Sequence, residues 1–213
     1  SNSNVIQAGR LTLNVGNFSQ TANGQLLASE ALVGSGSDWS NDGLIASDGR
    51  LSLDLAGTYA GNGRLSSRGD LGLSAAQVNL SNTGSIASGG TTSLSVVGQL
   101  NNAGRLTSAT GFTLVAGGVN NQGTLGAGEA LSVTTGALVN SDQGLIFSGR
   151  DMGLRVASLT NSYADVYSLG ALTIDRDGQG GLANSIVNRS GSLQSDLSMS
   201  LAASTIQNVR AVL

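Results

Sequence analysis

The sequence predicts an all-β chain: a right-handed parallel β-helix, a solenoid of about ten rungs. Three observations carry this. First, a module of the form apolar-x-Asn-x-Gly-x-(Leu/Ile)-x-Ser-x-Gly-x-Leu-x-Leu recurs about every twenty residues. It is clearest at Leu80 to Val96, Leu100 to Ala116, Val119 to Thr135 and Leu138 to Val156. Second, apolar and small or polar residues alternate within each module, as in Leu51-Ser52-Leu53-Asp54-Leu55 and Leu71-Gly72-Leu73-Ser74-Ala75. Period two is the signature of a strand with one face in and one face out, and helical spacing persists nowhere. Third, there is no proline among 213 residues. That suits a chain in which nearly every N–H joins a ladder.

A period near twenty is too short for a propeller blade, which takes about forty residues or more. The spacing also lacks a helical half. What remains is a coil of two or three short strands per turn, stacked parallel. Rungs about 4.8 Å apart give a rod roughly 50 Å long, and parallel crossovers favour the right hand.

Three columns define the rungs. The first runs Ile6, Leu27, Ile45, Leu65, Ile86, Leu106, Leu125, Ile146, Val166. The second runs Leu13, Val33, Leu53, Leu73, Leu94, Leu114, Val133, Leu154, Ile174. The third is asparagine: Asn23, Asn41, Asn62, Asn82, Asn102, Asn121, Asn140, Asn161, Asn188, Asn208. An apolar residue stands two places before most of these, including Trp39, Leu80, Leu100 and Val119. Glycines between the strands fit sharp corners, and asparagine side chains can bond along a stack. On this pattern Leu114 points inward and Ser108 lies near a corner.

Composition excludes several classes of function. Net charge is −3, with ten arginines and no lysine, so there is no footprint for nucleic acid or an anionic membrane. No run approaches the roughly 18 apolar residues of a membrane-spanning helix. Without cysteine there is no disulfide or thiolate metal site, and without histidine the commonest general base and metal ligand is missing. No residue set calls for a cofactor.

The units Leu100-Asn101-Asn102-Ala103-Gly104-Arg105-Leu106-Thr107-Ser108 and Leu138 to Ala157 resemble the filamentous-haemagglutinin-type repeat. The resemblance spans nearly the whole chain. It implies the shaft of a large two-partner-secretion exoprotein, an adhesin or a toxin-delivery protein of contact-dependent growth inhibition. It also implies a place outside or on the outer membrane of a Gram-negative bacterium. The expected partners are a dedicated outer-membrane transporter during export and a target-cell receptor engaged through neighbouring regions. The family's secretion domain carries Asn-Pro motifs, and a chain without proline reads as shaft instead. Neither end shows an obvious polar cap, so residues 1–213 read as one shaft segment of a longer array.

Irregular rungs are expected at about residues 158–190. The asparagine step from Asn161 to Asn188 is 27, so that rung gains about seven residues as a corner loop. Asp175, Arg176 and Asp177 in this loop are the candidate recognition residues. Asp175-x-Asp177-Gly178 resembles the start of a calcium loop, but the later ligand positions are missing, and an acidic solvated loop is the simpler reading. A sugar subsite would pair an aromatic platform with carboxylates, which directs attention to Trp39 with Asp38, Asp42 and Asp48. Trp39 falls in the apolar column, however, and its burial is expected. Tyr163 and Tyr167 fall near the irregular rung, where packing or loop anchoring is the default reading and partial exposure the alternative. Gly89-Gly90 and Gly117-Gly118 read as corners and not as phosphate loops. The alternative function is a β-helical carbohydrate-binding or polysaccharide-degrading protein. Its usual long loops and numerous aromatics are absent, and the chain is read as non-enzymatic.

Overall fold

The computed structural model describes residues 1–210. Its strands form one continuous parallel ladder, a β-solenoid of about ten turns. Among the described residues there is no helix. Each turn has three faces. The first face is built from short strands such as Arg64–Ser67, Arg105–Ser108 and Asp165–Ser168. The second and third faces are separate in the early rungs, as in Leu71–Ala75 and Gln77–Leu80. In the middle rungs one strand bends round both, as in Phe112–Asn121 and Leu131–Ser141.

Burial follows the two-residue alternation. Ile45, Leu65, Ile86, Leu106, Leu125, Ile146 and Val166 are fully buried and stack in register on the first face. Leu53, Leu73, Leu94, Leu114, Val133, Leu154 and Ile174 do the same on the second. The column is continuous because one rung's backbone N–H groups and carbonyls are taken up by the rungs on either side. Apolar side chains in successive rungs therefore meet at strand spacing.

The register differs from the sequence-predicted columns at the first rungs. Leu26, not Leu27, is the buried leucine that pairs with Ile6 and Ile45. Two adjacent leucines cannot both face inward in an extended strand. Gly34, not Val33, stands between Leu13 and Leu53, and Val33 is exposed. The cause is Trp39. Its ring crosses the core, and a Cβ at Gly34 would lie 2.5 Å from it. The indole therefore fills the space that a leucine takes in later rungs. Its Nε1 donates to the Val15 carbonyl at 3.2 Å, and Phe18 packs on the ring at 4.9 Å between centroids.

The third face departs further. Its apolar column is Phe18, Trp39, Tyr59, Val78, Leu100, Val119, Leu138, Leu159, Ile186 and Ile206. Val78 takes the place expected of Leu80, and Leu80 stands in the asparagine column opposite Gly61 and Asn102. Asn23, Asn62 and Asn82 are exposed corner residues. The buried amide column is thus in two parts. In the first, Asn2 donates to Gln20 and Gln20 to Asn41, both at 2.9 Å, and Asn41 donates to the Tyr59 hydroxyl at 3.2 Å. Burial raises the Tyr59 pKa far above the usual tyrosine value, so the phenol stays neutral. At Gly61 (φ +143°) a Cβ would collide with the Asn41 carbonyl, so the slot takes glycine and its corner asparagine moves outward.

The second part is unbroken. Asn102 donates to Asn121, Asn121 to Asn140, Asn140 to Asn161, Asn161 to Asn188 and Asn188 to Asn208, at 2.7–2.9 Å. Each Nδ2 from Asn102 to Asn188 also reaches a corner carbonyl, such as Thr124 from Asn102 and Asp165 from Asn140. Buried amides cost stability unless paired, and here each rung pairs the next. A serine column on the first face works alike. Ser108 is 5% exposed, and its Oγ bonds the Gly90 and Gly111 carbonyls at 2.7 and 2.9 Å. Ser108 is therefore an inward residue beside the corner, not a tolerant outer one.

Candidate functional site

The irregular rung leaves the second face after Asp175, which pairs with Arg155, and rejoins the third at Ser185, which pairs with Ser158. Ten positions separate Asp175 from Ser185 where three separate Arg155 from Ser158. The insertion is seven residues, as the asparagine step implies. It projects from the corner between those two faces.

The candidate residues divide by burial. Asp175 is 2% exposed, and its carboxylate turns into the loop. Oδ1 accepts from the Gly178 N–H at 2.7 Å and Oδ2 from the Gly180 N–H at 2.9 Å. Both glycines have positive φ, +78° and +84°, which lets their N–H groups converge on one carboxylate. Asp177 is at the surface and accepts from the N–H groups of Gln179 at 2.8 Å and Gly181 at 3.0 Å. Arg176 is exposed. Its guanidinium donates to the Leu182 carbonyl at 3.1 Å and to Asn184 Oδ1 at 2.5 Å. The charged groups thus fold the loop onto itself, and the side chains left on its outer surface include Arg176, Asp177, Gln179 and Leu182.

This geometry bears on the calcium-like spacing. Asp175 spends both carboxylate oxygens and Asp177 its Oδ1 on four loop amides, and no third carboxylate joins them. Among the described residues no group of three or more Asp, Glu, His or Cys is placed to hold a metal ion.

Those amides, first Gln179 and then Gly181, hold the Asp177 pKa below its ordinary value of 3.8. A lowered folded-state pKa means the contribution is complete above 3.8 and is lost as pH falls through the lowered value. The amide proton resonances of Gln179 and Gly181 are therefore expected to titrate together below pH 3.8. A midpoint at or above 3.8 in an NMR titration would contradict this anchoring.

The other candidates do not converge. Trp39 is buried, as expected, and its neighbouring carboxylates point to three different corners. Asp38 caps the Thr58 N–H at 2.8 Å, Asp42 accepts from Asn62, and Asp48 pairs with Arg68 at 3.2 Å. Each ties its rung to the next. Tyr163 is 48% exposed at a corner with φ +51°. Tyr167 is half-buried, and its hydroxyl donates to Asp196. Sequence reasoning left out one surface residue of this region, Phe147, which faces outward next to buried Ile146.

No curated protein and no solved structure matches the chain. The family model of the haemagglutinin repeat matches residues 2–53, 46–116, 96–162, 140–185 and 170–213, which leaves only Ser1 outside. This repeat is a structural, adhesin-type unit found typically in secreted or surface-exposed proteins. With that coverage, and with rungs that stack as copies of one unit, the chain belongs to the haemagglutinin repeat family.

Proposed function

We propose that the chain is a segment of the extracellular shaft of a filamentous exoprotein. In this reading it carries a distal adhesive or toxin-delivering region away from the surface of a Gram-negative cell. Export runs through a two-partner-secretion transporter in the outer membrane. The observation that carries the reading is the unbroken register from Asn102 to Asn208, where each rung serves chiefly to seat the next. A solenoid of this kind gains stability by nearest-neighbour contacts and gains reach by rung number.

A spacer tolerates loss of one period. Asn102 and Asn121 are register partners, so deleting Asn102 to Asn120 joins Asn101 to Asn121 in phase. In the parent exoprotein this deletion is expected to leave export and folding intact and to shorten the filament by about 5 Å. Adhesion or delivery should stay near the parent level. Loss of activity with export preserved would overturn the passive reading. Replacing Asp175–Gly181 by a three-residue corner tests the loop in the same assay. Loss of cell binding there would place recognition on the shaft itself.

A further inference from the structure

The chain has seven aromatic residues, and their distribution is uneven. Phe18, Trp39, Tyr59 and Phe112 are buried in the core. Phe147, Tyr163 and Tyr167 are not, and all three fall within two successive rungs. Phe147 and Tyr167 are register partners in an outward column of the first face. In the rungs before them that column reads Ala46, Ser66, Ala87, Thr107 and Gly126. From Ala46 to Gly126 the track is of small side chains, and it ends abruptly in two rings.

Gly126 sets the posture of the first ring. Three atoms of Phe147 (Cδ1, Cε1 and Cζ) crowd the place that a Cβ on Gly126 would occupy. The ring is therefore laid across the rung below, with one face on the sheet and the other toward solvent. The second ring is held at its edge, where the Tyr167 hydroxyl donates to both oxygens of Asp196 at 3.1 Å. Asp165, the register partner of Leu145, accepts from Ser192 on the next rung. Both carboxylates keep further lone pairs free to accept from a ligand.

We propose that Phe147 and Tyr167 form a stacking subsite for a neutral saccharide, with Asp165 and Asp196 accepting its hydroxyl groups. A pyranose ring has one face of C–H groups, which lies on an aromatic face, and a rim of hydroxyls, which donates to carboxylates. The carboxylates here already accept from neutral hydroxyls, so they are set for O–H donors. A peptide strand finds little at this surface, because the backbone groups of both rungs are already paired to the rungs on either side. The subsite is additional to the shaft role, and its failure leaves that reading untouched.

Native electrophoresis of the 213-residue chain in gels containing hydroxyethyl cellulose, galactomannan or dextran tests this. Migration is expected to be retarded by at least one polymer. Phe147→Ala and Tyr167→Ala should each weaken the retardation roughly tenfold in apparent affinity. Leu27→Ala, in the same outward column at a distant rung, should leave it unchanged. Circular dichroism melting checks that each variant is folded. If Phe147→Ala melts early, Phe147→Leu, which keeps apolar cover over Gly126, is read with the same expectation. No retardation by any polymer, equal retardation of the parent and both ring variants, or binding of a lysine peptide in place of the polymers would overturn the proposal.

Discussion

Leu114→Asp is expected to lower stability by on the order of 4 kcal/mol, or about 10 °C in melting temperature for a chain of this length. Leu114 is fully buried and stacks between Leu94 and Val133. A carboxylate there finds no donor, because the column on either side is apolar. Thr113→Asp is the control. Thr113 is exposed on the neighbouring position of the same strand, and its replacement should cost less than about 1 kcal/mol. Equal losses for the two variants would mean that the alternation is misassigned. Ser108→Asp belongs with the costly variants, because Ser108 lies beside a corner as expected but is buried there. The new carboxylate would face the Gly90 and Gly111 carbonyls that the hydroxyl now satisfies.

Asn140→Asp is expected to have the second large effect. Its Nδ2 donates to Asn161 Oδ1 at 2.8 Å and to the carbonyls of Gly144 and Asp165, both at 3.1 Å. Aspartate removes all three donations and turns a charge toward three acceptors. A cost of about 3 kcal/mol or more follows from buried groups left unpaired. Asn140→Leu should be milder, since Leu80 already occupies this column between Gly61 and Asn102. The aspartate deficit should also shrink as pH falls, because protonation restores a donor and removes the charge. Thermal unfolding at neutral and acid pH measures both effects. An aspartate variant as stable as the leucine one at neutral pH would show that the amide column contributes little.

Much of this was legible in the sequence, for a physical reason. Where a rung carries one Ile or Leu between small residues and a glycine at each corner, as around Ile86, alternation and period fix the same register. The reading slipped where one rung's filling was borrowed from another position. Trp39 reaches across to Gly34, so the buried residue of that column has no side chain to recognise. At Gly61 and Leu80 the amide column gives way to a phenol and a leucine, while Asn62 and Asn82 sit a step or two later and mimic the pattern. The inserted loop was legible from the step of 27, but not the inward turn of Asp175, which depends on two glycines at positive φ. The outward ring of Phe147 was implied by the inward place of Ile146. Its posture was not legible, because it depends on the missing side chain at Gly126 one rung earlier.

The most direct test of stacked, in-register rungs is engineered cross-linking, since the native chain has no cysteine. Thr113 and Ser132 are register partners on successive rungs and both point outward. Their Cα atoms lie at strand spacing, about 4.8 Å, within the range a disulfide spans. Thr113→Cys combined with Ser132→Cys should oxidise to an intramolecular disulfide without loss of melting temperature. Thr113→Cys with Gly153→Cys, two rungs apart through the register of Ser132 with Gly153, should remain reduced under the same conditions. Failure of the adjacent pair to close, or closure of the two-rung pair instead, would contradict the stacked shaft.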